Sequence, residues 1–123
     1  MKIIKLALLL MIVGMGLFSC SKEDDIDHVV LENDYLEFKA QGGTQSITFT
    51  INGGDWFAWK RLDSKGDWCS FTPSEGKAGK NILYVTVEPN NGASRSVTIE
   101  INSNGFYKHL FVEQQGVYNN SLQ

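Results

Sequence analysis

From Tyr35 onward the chain runs in short stretches of alternating apolar and polar positions, each closed by turn residues. Leu36 and Phe38 alternate with Glu37 and Lys39, and Gln41-Gly42-Gly43 ends that run. Ile47, Phe49 and Ile51 alternate with Thr48 and Thr50 as far as Asn52-Gly53-Gly54. Leu83, Val85 and Val87 alternate with Tyr84, Thr86 and Glu88, up to Pro89-Asn90-Asn91-Gly92. Val97, Ile99 and Ile101 do the same up to Asn102-Ser103-Asn104-Gly105, and Leu110 and Val112 close the series near Gly116. In a strand, successive side chains point to opposite faces, so each run predicts a strand with one buried face. Turn clusters recurring about every 10–13 positions predict antiparallel pairing rather than strand-helix-strand units.

The stretch Asp55–Phe71 is less regular and holds Trp56, Trp59 and Trp68. It reads as two strands, near Trp56–Trp59 and Trp68–Thr72, joined by the polar loop Leu62–Asp67. That brings the count to seven, the number in an immunoglobulin-like sandwich. Asn104-Gly105 predicts a type I′ turn between the last two strands, because both positions need positive φ. No apolar stripe at helical spacing lasts three turns after residue 19, so no helix is expected. The predicted fold is all-β: an immunoglobulin-like antiparallel β-sandwich over residues 35–116, with a tail at 117–123.

The first 34 residues follow a different logic. Lys2 and Lys5 form a basic start, and Leu6–Phe18 is an apolar run. As a helix this run spans about 20 Å, short of the ~30 Å hydrocarbon layer, which favours a cleaved secretory signal over a permanent span. Leu17-Phe18-Ser19-Cys20 resembles the bacterial lipobox, although Phe18 is bulkier than the residue usual there. Residues 1–19 are therefore expected to be a lipoprotein signal peptide and Cys20 the lipidated residue. Two or more acyl chains at Cys20 would hold the protein to a membrane stably, where one would not. Residues 20–34, with Glu23, Asp24, Asp25 and Asp27, read as an acidic tether that cannot bury apolar surface. Its Lys-plus-acidic start resembles the signal that sends Bacteroidetes lipoproteins to the cell surface. The expected location is the outer membrane, lipid-anchored and surface-exposed.

Chemistry is sparse. The formal charge is −3, and it becomes more negative once Lys2 and Lys5 are removed. Nucleic acid is not expected as a partner of such a chain, because phosphate contacts need a basic stripe. The histidines are His28, in the tether, and His109, on the face of Tyr107 and Phe111. No nucleophile elbow, phosphate loop or zinc-protease motif occurs. With Cys20 lipidated, Cys69 has no partner and reads as a small buried hydrophobe, so no intrachain disulfide is expected. Asp63 and Asp67 share a loop but lack the acid at the twelfth position of a calcium loop, where Ser74 stands. No cofactor, metal or enzymatic activity is expected.

The aromatic residues carry more. Phe38, Phe49, Trp56, Trp68 and Phe71 fall on core-type positions. Tyr84, Tyr107 and Phe111 fall on the polar parity of their strands, and Trp59 stands beside Lys60-Arg61, where the alternation breaks. An outward Phe needs a reason, so these four rings are the candidate binding residues.

Several pieces together resemble the BACON family (Bacteroidetes-associated carbohydrate-binding, often N-terminal). They are Ala40-Gln41-Gly42-Gly43-Thr44, Asp55-Trp56, the run Trp68–Gly79, the run Val87–Ser96, and Phe111-Val112-Glu113-Gln114-Gln115-Gly116. The order is the family's, over Tyr35–Gly116. Cys69 departs from its usual aliphatic residue, and Trp59 carries a long charged loop after it. The resemblance implies non-catalytic glycan or mucin binding, with Trp59, Tyr84, Tyr107 and Phe111 stacking on sugar. The alternative is a spacer, or a module docking a protein of a surface complex without binding glycan itself.

Overall fold

The computed structural model describes residues 27–61 and 66–117. The expected signal peptide, Cys20 and the rest of the chain up to Ile26 lie outside them, as do Asp63 and most of the C-terminal tail. Nine strands are present: β1 (Val29–Leu31), β2 (Tyr35–Phe38), β3 (Gly43–Ile51), β4 (Trp56–Lys60), β5 (Cys69–Thr72), β6 (Glu75–Gly76), β7 (Gly79–Val87), β8 (Arg95–Ser103) and β9 (Phe106–Gln114). The first sheet has the order β1-β3-β7-β5 and the second β2-β9-β8-β4-β6. The described residues contain no helix.

Alternation explains the core directly. Ile47, Phe49 and Ile51 of β3 and Leu83, Val85 and Val87 of β7 meet Val97, Ile99 and Ile101 of β8 and Leu110 and Val112 of β9. Trp56, expected in the core, stands edge-on to Phe49 across the sandwich, ring centres 4.9 Å apart. Burying each such side chain stabilises the fold by about 1.5–3 kcal/mol. The β8–β9 hairpin turns on Asn104 and Gly105, at φ 50° and 87°, the left-handed pair that a type I′ turn requires.

Three features differ from expectation. Val29–Leu31, placed in the tether by its acidic surroundings, forms β1 and pairs antiparallel with Phe49–Ile51. Val29 is buried, and His28 stacks on Phe106 at 5.1 Å, so the sandwich begins before Tyr35. The Ser103 hydroxyl donates to the Asp55 carbonyl, which leaves His28 Nε2 to donate to Ser103 Oγ at 3.0 Å. Secondly, β2 runs parallel to β9. The chain crosses from the first sheet to the second between Leu31 and Tyr35 without reversing, so an all-antiparallel arrangement is not what forms. Thirdly, Glu75-Gly76 adds a two-residue edge strand, β6, beside Trp56 and Phe57.

One end of the sandwich is tied by buried polar groups. Gln114 is fully buried; its Nε2 donates to the carbonyls of Lys39, Ala40 and Glu88, and its Oε1 accepts from Arg95 Nε at 2.8 Å. Asn90 donates to the Ala93 and Gln115 carbonyls and accepts from the Gly92 amide. The Arg95 guanidinium also lies 4.5 Å over the Trp68 ring. Each satisfied group here would cost about 1–3 kcal/mol if left unpaired.

Candidate binding face

The outer surface of the second sheet is built by register. Phe57, Asn102 and Tyr107 form one cross-strand row; Trp59, Glu100 and His109 form the next. Thr98, Phe111 and Tyr35 make the third, and Ser96, Glu113 and Glu37 the fourth. Trp59, Tyr107 and Phe111 are 49%, 56% and 48% exposed, far above what core rings show. Phe57 and Tyr35 are exposed beside them.

Alternation does not break at Trp59 as the sequence suggested. Trp56 and Ala58 point inward while Phe57 and Trp59 point outward, and their rings lie 5.0 Å apart in a tilted pair. Across the sheet, His109 is stacked with Tyr107 at 5.3 Å and edge-on to Phe111 at 6.2 Å. Two strand spacings, about 9.6 Å, separate β4 from β9. Two aromatic groups therefore flank a polar centre on one face.

That centre is Glu100, only 15% exposed at its side chain. His109 Nε2 lies 3.1 Å from Glu100 Oε1, and Arg61 Nη1 is 3.8 Å from the same oxygen. Arg61 also approaches His109 Nε2 at 3.4 Å; a nitrogen that donates to Glu100 has no lone pair for Arg61, so the shorter carboxylate contact defines the arrangement. Asn102 Nδ2, between Phe57 and Tyr107, is covered and has no hydrogen-bond partner among the described residues. Tyr35 Oη donates to Glu113 at 2.5 Å, and this bond pushes the phenol pKa up to about 12. Two open depressions meet at Phe111. One, of about 500 Å³, is lined by Leu31, Glu32, Asn33, Asp34, Lys108 and His109; the other, of about 310 Å³, by Tyr35, Thr98 and Glu113 among others.

Tyr84 stands elsewhere. It is 47% exposed but belongs to β7, on the outer surface of the first sheet, between Ser46 and Thr72. No single small ligand touches it together with the other three rings. Its surroundings are a hydroxyl ladder, with Thr44 and Thr86 hydrogen-bonded at 2.8 Å. Phe57, Glu100, Asn102 and Tyr35 were not among the expected site residues. Counting outward from a buried Trp56 would have found Phe57.

Cys69 is buried and unpaired, and its desolvation pushes the thiol up to about 11, against a smaller lowering by Lys60. Lys60 Nζ donates to the carbonyls of Gly66 and Cys69, pinning the β4–β5 connection. Among the described residues no cluster of His, Cys, Asp and Glu is disposed to hold a metal ion.

No curated protein matches the sequence. Among solved structures, part of a Bacteroides ovatus GH5 xyloglucanase, determined in complex with a XXXG heptasaccharide, is similar at 25% identity and a TM-score of 0.62. The match covers 71% of this chain but 18% of that one, so this chain spans under a fifth of the xyloglucanase. A PapD-like domain of human CEP192 (12% identity, TM-score 0.56, 76% of this chain and 87% of that) shares the fold. So does WR4, an MSP family member of C. elegans (12%, TM-score 0.52, 75% and 100%). Residues 57–115, from β4 to the end of β9, match the model of the family BACON, described as "Putative binding domain, N-terminal". Over β4–β9 the sandwich of this chain is thus similar to the BACON family.

Proposed function

We propose that the outer face of the second sheet captures glycan without chemistry, by stacking sugar rings on Trp59, Tyr107 and Phe111. The observation that carries this reading is that these three half-exposed rings, with Phe57, lie on one surface around Glu100. Aromatic faces suit the C–H faces of sugars, while Glu100 and Arg61 supply an acceptor and donors for hydroxyls. The binding-domain description of the family and the similarity to part of a xyloglucanase support the same reading. Tyr84 lies outside this mechanism.

Single-site affinity is expected to be weak, and many copies on one membrane would raise retention through avidity. The membrane attachment is part of the proposal: a lipid on Cys20 and exposure at the outer surface, supported by the lipobox-like Leu17–Cys20 and the acidic stretch behind it. Cys20→Ser should abolish labelling by a clickable palmitate analogue, and shaving intact cells with protease should remove the domain.

The test of capture is a panel of neutral polysaccharides and mucin glycans, with intrinsic tryptophan emission as the readout. Saturable binding that shifts the emission, and that weakens about tenfold in Trp59→Ala, is the expected result. Absence of binding across the panel by a cooperatively melting sample would end the glycan reading. Retention unchanged by alanine at Trp59, Tyr107 and Phe111 together would end the stacking mechanism.

A further inference from the structure

β9 is nine residues long, yet it is paired on both sides only over Phe111–Gln114. Over Phe106–Leu110 it has β8 on one side and, among the described residues, no strand on the other. The direction of its backbone groups is set by two bonds to the β2 side: Phe111 N–H donates to Asp34 O, and Gln115 N–H to Phe38 O. Odd-numbered residues therefore face β2, and even-numbered ones face β8. Tyr107 and His109 direct their amides and carbonyls into the open edge. The chain ahead of β2 flanks this edge through the His28–Phe106 stack and the Asp27–Lys108 pair but does not pair with it, Glu32 N–H being bonded to Thr48 O of the first sheet.

This edge opens into the depression of about 500 Å³ described above. Leu31 and Phe111 give it apolar wall, and Glu32 and Asp34 give it negative charge. Its basic side chains are already engaged, Lys108 with Asp27 at 3.2 Å and His109 with Glu100 at 3.1 Å, and do not offset that charge. We infer that this notch is a strand-addition site, taking an extended polypeptide segment with Lys or Arg at alternate positions. Such a segment would continue the line of β2, exchange main-chain hydrogen bonds with Tyr107 and His109, and lay its basic side chains against Glu32 and Asp34. The inference shares Phe111 with the glycan face but is read from the backbone groups of Tyr107 and His109, so it stands or falls apart from glycan capture.

Main-chain parity gives the test a residue-level signature. Amide hydrogen exchange would be followed in the full-length chain, in detergent, with and without a short synthetic peptide of alternating lysine and valine. Exchange at Tyr107 and His109 should slow roughly tenfold or more at saturation, while Lys108 and Leu110, already directed to β8, stay unchanged. The double variant Glu32→Lys, Asp34→Lys should lose this protection and gain it with a peptide of alternating glutamate and valine. His109→Pro removes one outward amide at a position where an edge tolerates proline, and should abolish the effect. Unchanged exchange at Tyr107 and His109, or equal protection of the native chain by both peptides, would overturn the inference.

Discussion

Cys69 and Tyr35 are acids whose neutral forms the fold favours, one by burial and the other by its bond to Glu113. The thiol lies at about 11 rather than 9.0, and the phenol at about 12 rather than 10.0. The unfolded chain releases both protons first, so their contribution to stability is complete below about pH 9 and is lost as pH rises through their folded values. Denaturant midpoints measured from pH 8 to 11 should fall, and Cys69→Ala should flatten the early part of that fall. Because the thiolate is the nucleophile, Cys69 should also resist alkylation at pH 8 by about a hundredfold or more relative to the urea-unfolded chain, counted by intact mass. Inward-facing residues such as Cys69 and Trp56 were legible in the sequence, since alternation separates inward from outward. It does not say which of two sheets an outward residue decorates. Tyr84 and Phe111 share a parity signal and part company only because β7 and β9 belong to different sheets.

At the scale of elements, the stretches that resemble the family prove to be mainly joints. Ala40, Glu88, Asn90, Arg95, Gln114 and Gln115 meet in the hydrogen-bonded end of the sandwich. Gln114→Leu would fit the volume but leave three carbonyls and Arg95 without this partner; a loss of about 3–5 kcal/mol is expected from urea unfolding. Gly76, in β6, is a second joint: a Cβ there would stand 2.5 Å from Nε1 of the buried Trp56. Gly76→Ala should cost about 1–3 kcal/mol by overpacking and detach β6 from β4. The sequence concealed elements too short to display a period. Val29–Leu31 is three residues amid acids, and Glu75-Gly76 is two, so neither shows the alternation that exposed the longer strands.

For the whole molecule, the earlier start matters most. A chain beginning at Asn33 would lose β1, the buried Val29 and the His28–Ser103 bond, uncovering the flank of β3. Compared with a chain beginning at Asp27, it should be less stable by about 2–4 kcal/mol, read as a lower melting temperature in otherwise matched samples. The parallel registry of β2 with β9 carries a mechanical consequence. Chain enters β2 at Tyr35 and leaves β9 at Gln114, at opposite ends of the same four-residue contact. Once β1 has been drawn off β3, tension between the two ends of the domain therefore pulls these strands past each other lengthwise. The hydrogen bonds of the pair are loaded together, as in a lap joint, instead of one after another as in an opening zipper. Pulled from its two ends, this pair of strands would yield abruptly, at a single high force, rather than unravel.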